Sequence, residues 1–343
     1  MRTIWWEDGV VVTVDQTKLP HEEVFIEMKE CSEVASAIGE MRVRGAPLIG
    51  VTAAYGLALT AFHSKAEKRE EMMKEINESA EALRRSRPTA VNLFWAVDRV
   101  LKKARAASGE PKALAKAVVD EAQRMADEDV EANRRMGEHG ARLVKDGAVV
   151  MTHCNAGSLA TVDYGTALGV IRAAWNQGKK ISVIATETRP KLQGARLTAY
   201  ELKRVGIPVT LITDSMVGYV MSKQLVDKVI VGADRIVQDA VINKIGTYTI
   251  AVLAQEHDVP FYVVAPKSTF NLKQTSKDVI IEERSSEEVT HFNCQRIAPS
   301  EIEALNPAFD VTPLRYVSAV ICETGILSTP ELEKLTVDHG MHA

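Results

Sequence analysis

The sequence predicts an α/β protein, with a small N-terminal β region and helices followed by a C-terminal Rossmann-like, mostly parallel sheet flanked by helices. Three observations carry this. The first half opens with short alternating apolar runs and then turns to a helical period. In the second half, short Val/Ile-rich runs recur with helical segments in most of the gaps, the pattern of βαβ units. Two of those runs also end in reactive side chains, Cys154 and Asp234, at the edge of a parallel sheet where ligands bind.

The elements follow in order. Residues 3–6 and 10–14 flank Glu7-Asp8-Gly9, an Asp-Gly hairpin signal, and 23–28 supplies a third strand. Helix-period apolar positions then fill 31–42, 50–63, 65–85 and 91–106. The third of these is dense in opposite charges at i,i+4 and reads as a solvated face. Ala107-Ser108-Gly109-Glu110-Pro111 is the best linker, and a long helix over 112–145 follows it. The expected division is 1–120, a β-hairpin and helical domain, and 121–343, a Rossmann-like catalytic domain. Strands are expected at 148–152, 181–185, 209–213, 229–231, 261–265 and 317–321.

Composition narrows the class. The chain has 343 residues, 46% of them hydrophobic, which is enough for a sizeable core. Net charge is −4 with both signs interspersed, so no basic face is built for nucleic acid. Cys31, Cys154, Cys294 and Cys322 lie far apart without a CxxC, which reads as reduced thiols and not as a zinc site or disulfide framework. Trp5, Trp6, Glu7 and Asp8 stand where a signal peptide would be apolar, and no run approaches a membrane span. A cytoplasmic protein, with no membrane partner, is the expectation.

A strand-end cysteine alone is more often a small buried hydrophobe than a reactive group. Cys154, however, precedes Asn155 and Ser158, both N-cap types, and a helical pattern over 159–174, so a helix N-terminus is expected to lower its thiol pKa. His153 should face the other way as a satisfied structural histidine. Asp234, followed by Arg235, reads as an ion pair or cap until Asn243-Lys244-Ile245-Gly246-Thr247 is added. That segment reads as a polar loop before a helix, where an amide, an ammonium and backbone N–H groups could hold a phosphate. Arg44-Gly45-Ala46-Pro47 repeats the theme, with a bidentate cation before a helix whose first turn accepts proline, although taken alone it reads first as a plain helix-start turn with a solvated arginine. Arg87-Pro88-Thr89 and Gln193-Gly194, the latter after Glu187-Thr188-Arg189-Pro190, add a cation and an amide at further junctions. Neither a GxxxxGK[ST] loop nor a GxGxxG fingerprint occurs, so a phosphorylated small molecule fits better than a nucleotide.

Taken together these segments resemble the methylthioribose-1-phosphate isomerases, relatives of the regulatory α, β and δ subunits of translation factor eIF-2B. The match comprises Ile4-Trp5-Trp6 with Asp15-Gln16-Thr17-Lys18-Leu19-Pro20, Val43-Arg44-Gly45-Ala46-Pro47, and then 87–93, 152–169, 187–195 and 232–248 in the same order. The resemblance implies an aldose–ketose isomerase of methionine salvage, with Cys154 and Asp234 as catalytic pair. It implies substrate binding by Arg44, Gly45, Ala46, Arg87, Gln193, Asn243 and Lys244, and a homodimer without metal or organic cofactor. Between Arg235 and Asn243 this chain reads Ile-Val-Gln-Asp-Ala-Val-Ile where many relatives carry a slightly longer loop with Asn-Gly-Asp. That leaves the placement of Lys244 relative to Asp234 open. Two other readings stand beside this one: a ribose-1,5-bisphosphate isomerase, which would need a second phosphate site, and a non-catalytic eIF-2B-like regulatory subunit, which would have no need of both Cys154 and Asp234 together.

Overall fold

The computed structural model describes residues 1–88, 90–329 and 331–332. The chain divides into two units, Met1–Arg134 with Ala156–Gly165, and Arg135–Asn155 with the residues from Thr166 onward.

The first unit begins with an antiparallel meander of β1 (Ile4–Glu7), β2 (Val10–Val14) and β3 (Phe25–Met28). Asp8 and Gly9, both at positive φ, close the β1–β2 hairpin, as the right-handed strand twist favours for a two-residue turn. Four helices follow: α1 (Cys31–Gly39), α2 (Ala46–His63), α3 (Arg69–Ser86) and α4 (Val91–Ala106). α2 packs against the other three. By length and composition it could cross a membrane, but 72% of it is buried inside the protein, so it is a core helix. α3 buries only the stripe Met72, Ile76, Ala80 and Leu83 and solvates its charges, as expected.

α5 (Pro111–Ala141) is continuous. Its Leu114, Val118, Ala122, Met125 and Ala126 belong to the same core as α2, so the boundary expected near 120 falls inside a helix and the units divide after Arg134. Residues 156–165 also join this unit. Val162 N–H donates to Asp129 Oδ2 at 2.8 Å, its carbonyl accepts from Thr3 N–H at 2.8 Å, and Leu159 O accepts from Gln16 Nε2 at 2.7 Å. With these backbone groups partnered outside the segment, the helix expected from 159 begins only at Ala167.

The second unit is built on β4 (Val149–Thr152), α6 (Ala167–Asn176), β5 (Ser182–Thr186), α7 (Ala199–Arg204), β6 (Val209–Ile212), α8 (Val217–Ser222) and β7 (Lys228–Val231). There follow β8 (Arg235–Ile236), β9 (Ala240–Lys244), α9 (Thr247–Glu256), β10 (Phe261–Val264), α10 (Glu287–Thr290), β11 (His291–Phe292) and β12 (Gln295–Arg296). β13 (Phe309–Pro313), β14 (Ala319–Cys322) and β15 (Gly325–Ser328) close it. The main sheet has the order β15-β14-β10-β7-β4-β5-β6, parallel except for β15. Its strands are Val/Ile-rich and mostly buried, as parallel strands covered on both faces must be. From β4 the chain winds out through β5 to β6, then returns to β7 on the other side of β4. That reversal is the topological switch point, where doubly wound sheets bind their ligands.

A second, small sheet, β13-β9-β8, was not legible as strands. β8 has only two residues, and the end of β9 carries the polar Asn243 and Lys244, which read as loop.

Candidate active site

Cys154 lies two residues beyond β4, and Asp234 three beyond β7, its neighbour across the switch point. Both side chains are half-buried. Cys154 has φ +61°, in the left-handed region that costs a residue with a Cβ about 1 kcal/mol or more. Two threonines hold it there. Its N–H donates to Thr188 Oγ1 at 2.9 Å and its carbonyl accepts from Thr198 Oγ1 at 2.6 Å. Asn155 turns inward, donating to Thr198 Oγ1 and Glu201 Oε1. Cys154 is therefore held by a strained, clamped backbone, and the α-helix whose N-terminus was expected to lower its thiol pKa begins only at Ala167. Of the other cysteines, Cys31 is pushed up to about 11 by burial, Cys322 is buried and Cys294 exposed.

Asp234 opens the β8–β9 hairpin. Arg235 stands opposite Ile242, and Asp234 N–H also donates to the Ile242 carbonyl at 3.0 Å. Two residues of one strand thus oppose one of the other, a bulge arrangement that re-aims side chains beside active sites. Asn243 and Lys244 are the next residues along β9, so this ladder resolves the spacing that the shortened loop left open. Arg235 beside the carboxylate is half-buried, and desolvation lowers its pKa against the opposing charge of Asp234.

Asn243 and Lys244 end a strand rather than occupy a loop, and the Asn243 amide nitrogen and the Lys244 ammonium each have an internal partner. Asn243 Nδ2 donates to Thr247 Oγ1 at 3.0 Å. Lys244 Nζ donates to Ala308 O at 2.7 Å and lies 4.8 Å from the Phe309 ring centroid. The first amides of α9 are taken by Asp310, whose Oδ2 accepts from Gly246 N–H at 2.7 Å and Tyr248 N–H at 3.1 Å. Burial raises the Asp310 carboxyl to about 6, against those hydrogen bonds and the charge of Lys244. Asp310 gave no sequence signal, because its role depends on β13 pairing with β9 through Asp310 opposite Asn243.

Gln193 follows β5, is only 4% exposed, and has a side-chain oxygen buried without a hydrogen-bond partner in the structure. Such an orphan costs about 1–3 kcal/mol unless a ligand or water supplies the donor. Gly194 is packed so closely that a Cβ would stand 1.8 Å from Thr186 O.

Arg44, Gly45, Ala46 and Arg87 belong to the first unit. Arg44 is 7% exposed, and its Nε donates to Gln16 Oε1 at 3.1 Å. Gly45 caps α2 at φ +102°, where a Cβ would meet Ala160 Cα at 2.6 Å, and Ala46 and Pro47 form the first turn. Arg87 ends α3, just before α4. Both arginines therefore lie at loop-to-helix junctions, as expected. Among the described residues no cluster of His, Cys, Asp or Glu could hold a metal ion.

Residues 42–329 match the model of the initiation factor 2 subunit family. The chain belongs to that family. A methylthioribose-1-phosphate isomerase from Syntrophotalea carbinolica is 54% identical over 95% of this chain and 96% of its own. Among solved structures, 5-methylthioribose 1-phosphate isomerase from Pyrococcus horikoshii superposes with a TM-score of 0.92 at 44% identity, covering 99% of this chain and 96% of that one. A structure of translation initiation factor eIF-2B, subunit delta, from A. fulgidus gives 0.88 at 51% identity, covering 97% and 99%. Both kinds of name thus occur within one family at about half identity to this chain.

Proposed function

We propose that the protein is an isomerase that converts 5-methylthioribose 1-phosphate to 5-methylthioribulose 1-phosphate in methionine salvage. The observation that carries this is the placement of Cys154 and Asp234 after adjacent strands at the switch point of the sheet. Near-full-length relatives of that activity support it.

The phosphate on the anomeric oxygen prevents spontaneous ring opening, so the ring C–O bond must be broken with help from an acid. Asp234 supplies that proton to the ring oxygen. Hydrogen then moves from C2 to C1, either as a hydride beside the Cys154 thiol or as a proton that Cys154 removes. Loss of the C2 hydroxyl proton leaves the ketone. In this reading Lys244, Asn243 and the Gln193 amide bind substrate, together with Arg44, Gly45, Ala46 and Arg87. Lys244 then exchanges its bond to Ala308 for the phosphate. We further propose a cytoplasmic homodimer, which light scattering at twice the chain mass would support.

The deciding experiment is NMR of the protein with 5-methylthioribose 1-phosphate, run beside ribose 1,5-bisphosphate. A C2 ketone from the first alone is expected. Ketone only from the bisphosphate would move the protein to that substrate, and none from either would favour the initiation-factor role that the A. fulgidus structure's name suggests. With deuterium at C2, retention in the product marks hydride shift and loss marks proton transfer.

A further inference from the structure

His153 is used by no step of that chemistry, yet its ring has a directed partner at each nitrogen. It is 1% exposed. Nε2 lies 2.8 Å from the Ile245 carbonyl and Nδ1 lies 2.6 Å from Thr186 Oγ1. A carbonyl only accepts, so Nε2 carries the proton. Burial is the largest influence on the ring and lowers its pKa, which keeps it neutral. Nδ1 is then an acceptor, and the Thr186 hydroxyl donates to it.

The two bonds lead to different parts of the site. Ile245 directly follows Lys244, and the ring also packs on Gly246, where a Cβ would come 3.0 Å from His153 Cε1. With Asp310 holding the Gly246 amide, the turn that carries Lys244 is gripped from both sides. In the other direction, Thr186 Oγ1 lies 3.4 Å from Thr188 Oγ1, the atom that accepts the Cys154 N–H. Cys154 is also the next residue in the chain.

We propose that His153 is a positioning residue, whose two ring nitrogens fix the Lys244 turn and the Cys154 loop in one mutual geometry. This rests on the reading that Cys154 and Lys244 serve the isomerase. Each arm can be removed separately. In His153→Asn the side-chain oxygen sits near the Nδ1 position, so the Thr186 bond is kept and the Ile245 bond lost. In His153→Gln the amide reaches the Nε2 position, so the Ile245 bond is kept and the Thr186 bond lost.

The measurement is steady-state kinetics with 5-methylthioribose 1-phosphate. We expect His153→Asn to raise KM about tenfold with kcat within about twofold, and His153→Gln to lower kcat about tenfold with KM within about twofold. Thr186→Val, which removes only the hydroxyl, should reproduce the glutamine variant. A merely structural histidine would shift kcat and KM together in both variants, in step with the loss in Tm, and that result would overturn the proposal. Should a His153 variant fail to fold, Thr186→Val decides: a lower kcat at unchanged KM supports the proposal, and wild-type kinetics overturns it. Cys154→Ser and Lys244→Ala, run alongside, separate the two readings. Full activity in those variants rejects the site itself, whereas lost activity there with wild-type kinetics in the His153 and Thr186 variants rejects only the positioning role.

Discussion

Cys154 combines a left-handed backbone with hydroxyl clamps on both its N–H and its carbonyl, and none of the clamping groups is the thiol. Replacing sulfur by oxygen should leave that scaffold intact. We therefore expect Cys154→Ser to keep its Tm and lose about 10²-fold or more in kcat, and Asp234→Asn to behave alike, since a positioned acid or base contributes on this order. Wild-type turnover in either purified variant would remove that residue from the mechanism. A second residue-scale prediction concerns Asp129, half-buried against the 156–165 segment, whose carboxyl is pushed from 3.8 up to about 7 by desolvation, against hydrogen bonds from Val162 and Asn133. Between those values the folded chain binds more protons than the unfolded one. Stability from this group is therefore fully present below about pH 4 and lost as pH rises through about 7. Asp129→Asn keeps an acceptor for Val162 N–H but cannot ionise, so its Tm relative to wild type should climb between about pH 4 and pH 7 and level off above that. A Tm difference that does not change with pH would show that Asp129 does not titrate as described.

At the scale of elements, the sequence was legible where one force dominates. Continuous Val/Ile runs bury on both faces, so β4, β5, β7 and β10 are found within a residue or two of their expected places. The helices of the first unit carry a clear period, except α2, which is apolar nearly all round, and Asp8-Gly9 makes its hairpin. The illegible parts depend on partners distant in sequence. β9 ends in polar residues and becomes a strand only through β8 and β13, and the segment after Cys154 is kept from helix by bonds to Thr3, Gln16 and Asp129. The same dependence hides what Gly194 does. It begins the π-helical turn Gly194–Thr198 against β5, and its Cα faces the Thr186 carbonyl. Gly194→Ala would force a Cβ to 1.8 Å from that oxygen, so either the turn or the strand end must move. Overpacking of this kind costs about 1–3 kcal/mol. Denaturant unfolding should show that loss, and displacement of Gln193 and Thr198 should lower kcat/KM as well. Unchanged stability would mean the turn can shift freely.

For the whole molecule, the division into two units makes a prediction that sequence order alone would get wrong. The two main cores share no residue: one gathers Tyr55, Leu57, Leu83, Val100 and Val162, the other Met151, Val229, Phe261 and Val320. Regions that own separate cores open as separate cooperative units in amide exchange. Leu57→Ala should cost about 2–5 kcal/mol and Phe261→Ala about 3–5, and each loss should fall on the unit that holds the cavity. Leu57→Ala is expected to speed exchange throughout 1–134 while β4, β7 and β10 keep their protection, and Phe261→Ala to do the reverse. The informative amides are Met151 and Val162. They lie close in sequence, but Met151 belongs to the sheet, whereas Val162 N–H is bonded to Asp129 on α5. Val162 should therefore lose protection with Leu57→Ala and Met151 with Phe261→Ala. If both amides respond to the same substitution, the molecule unfolds as one cooperative body and the Cys154 loop has no separate freedom to rearrange around substrate.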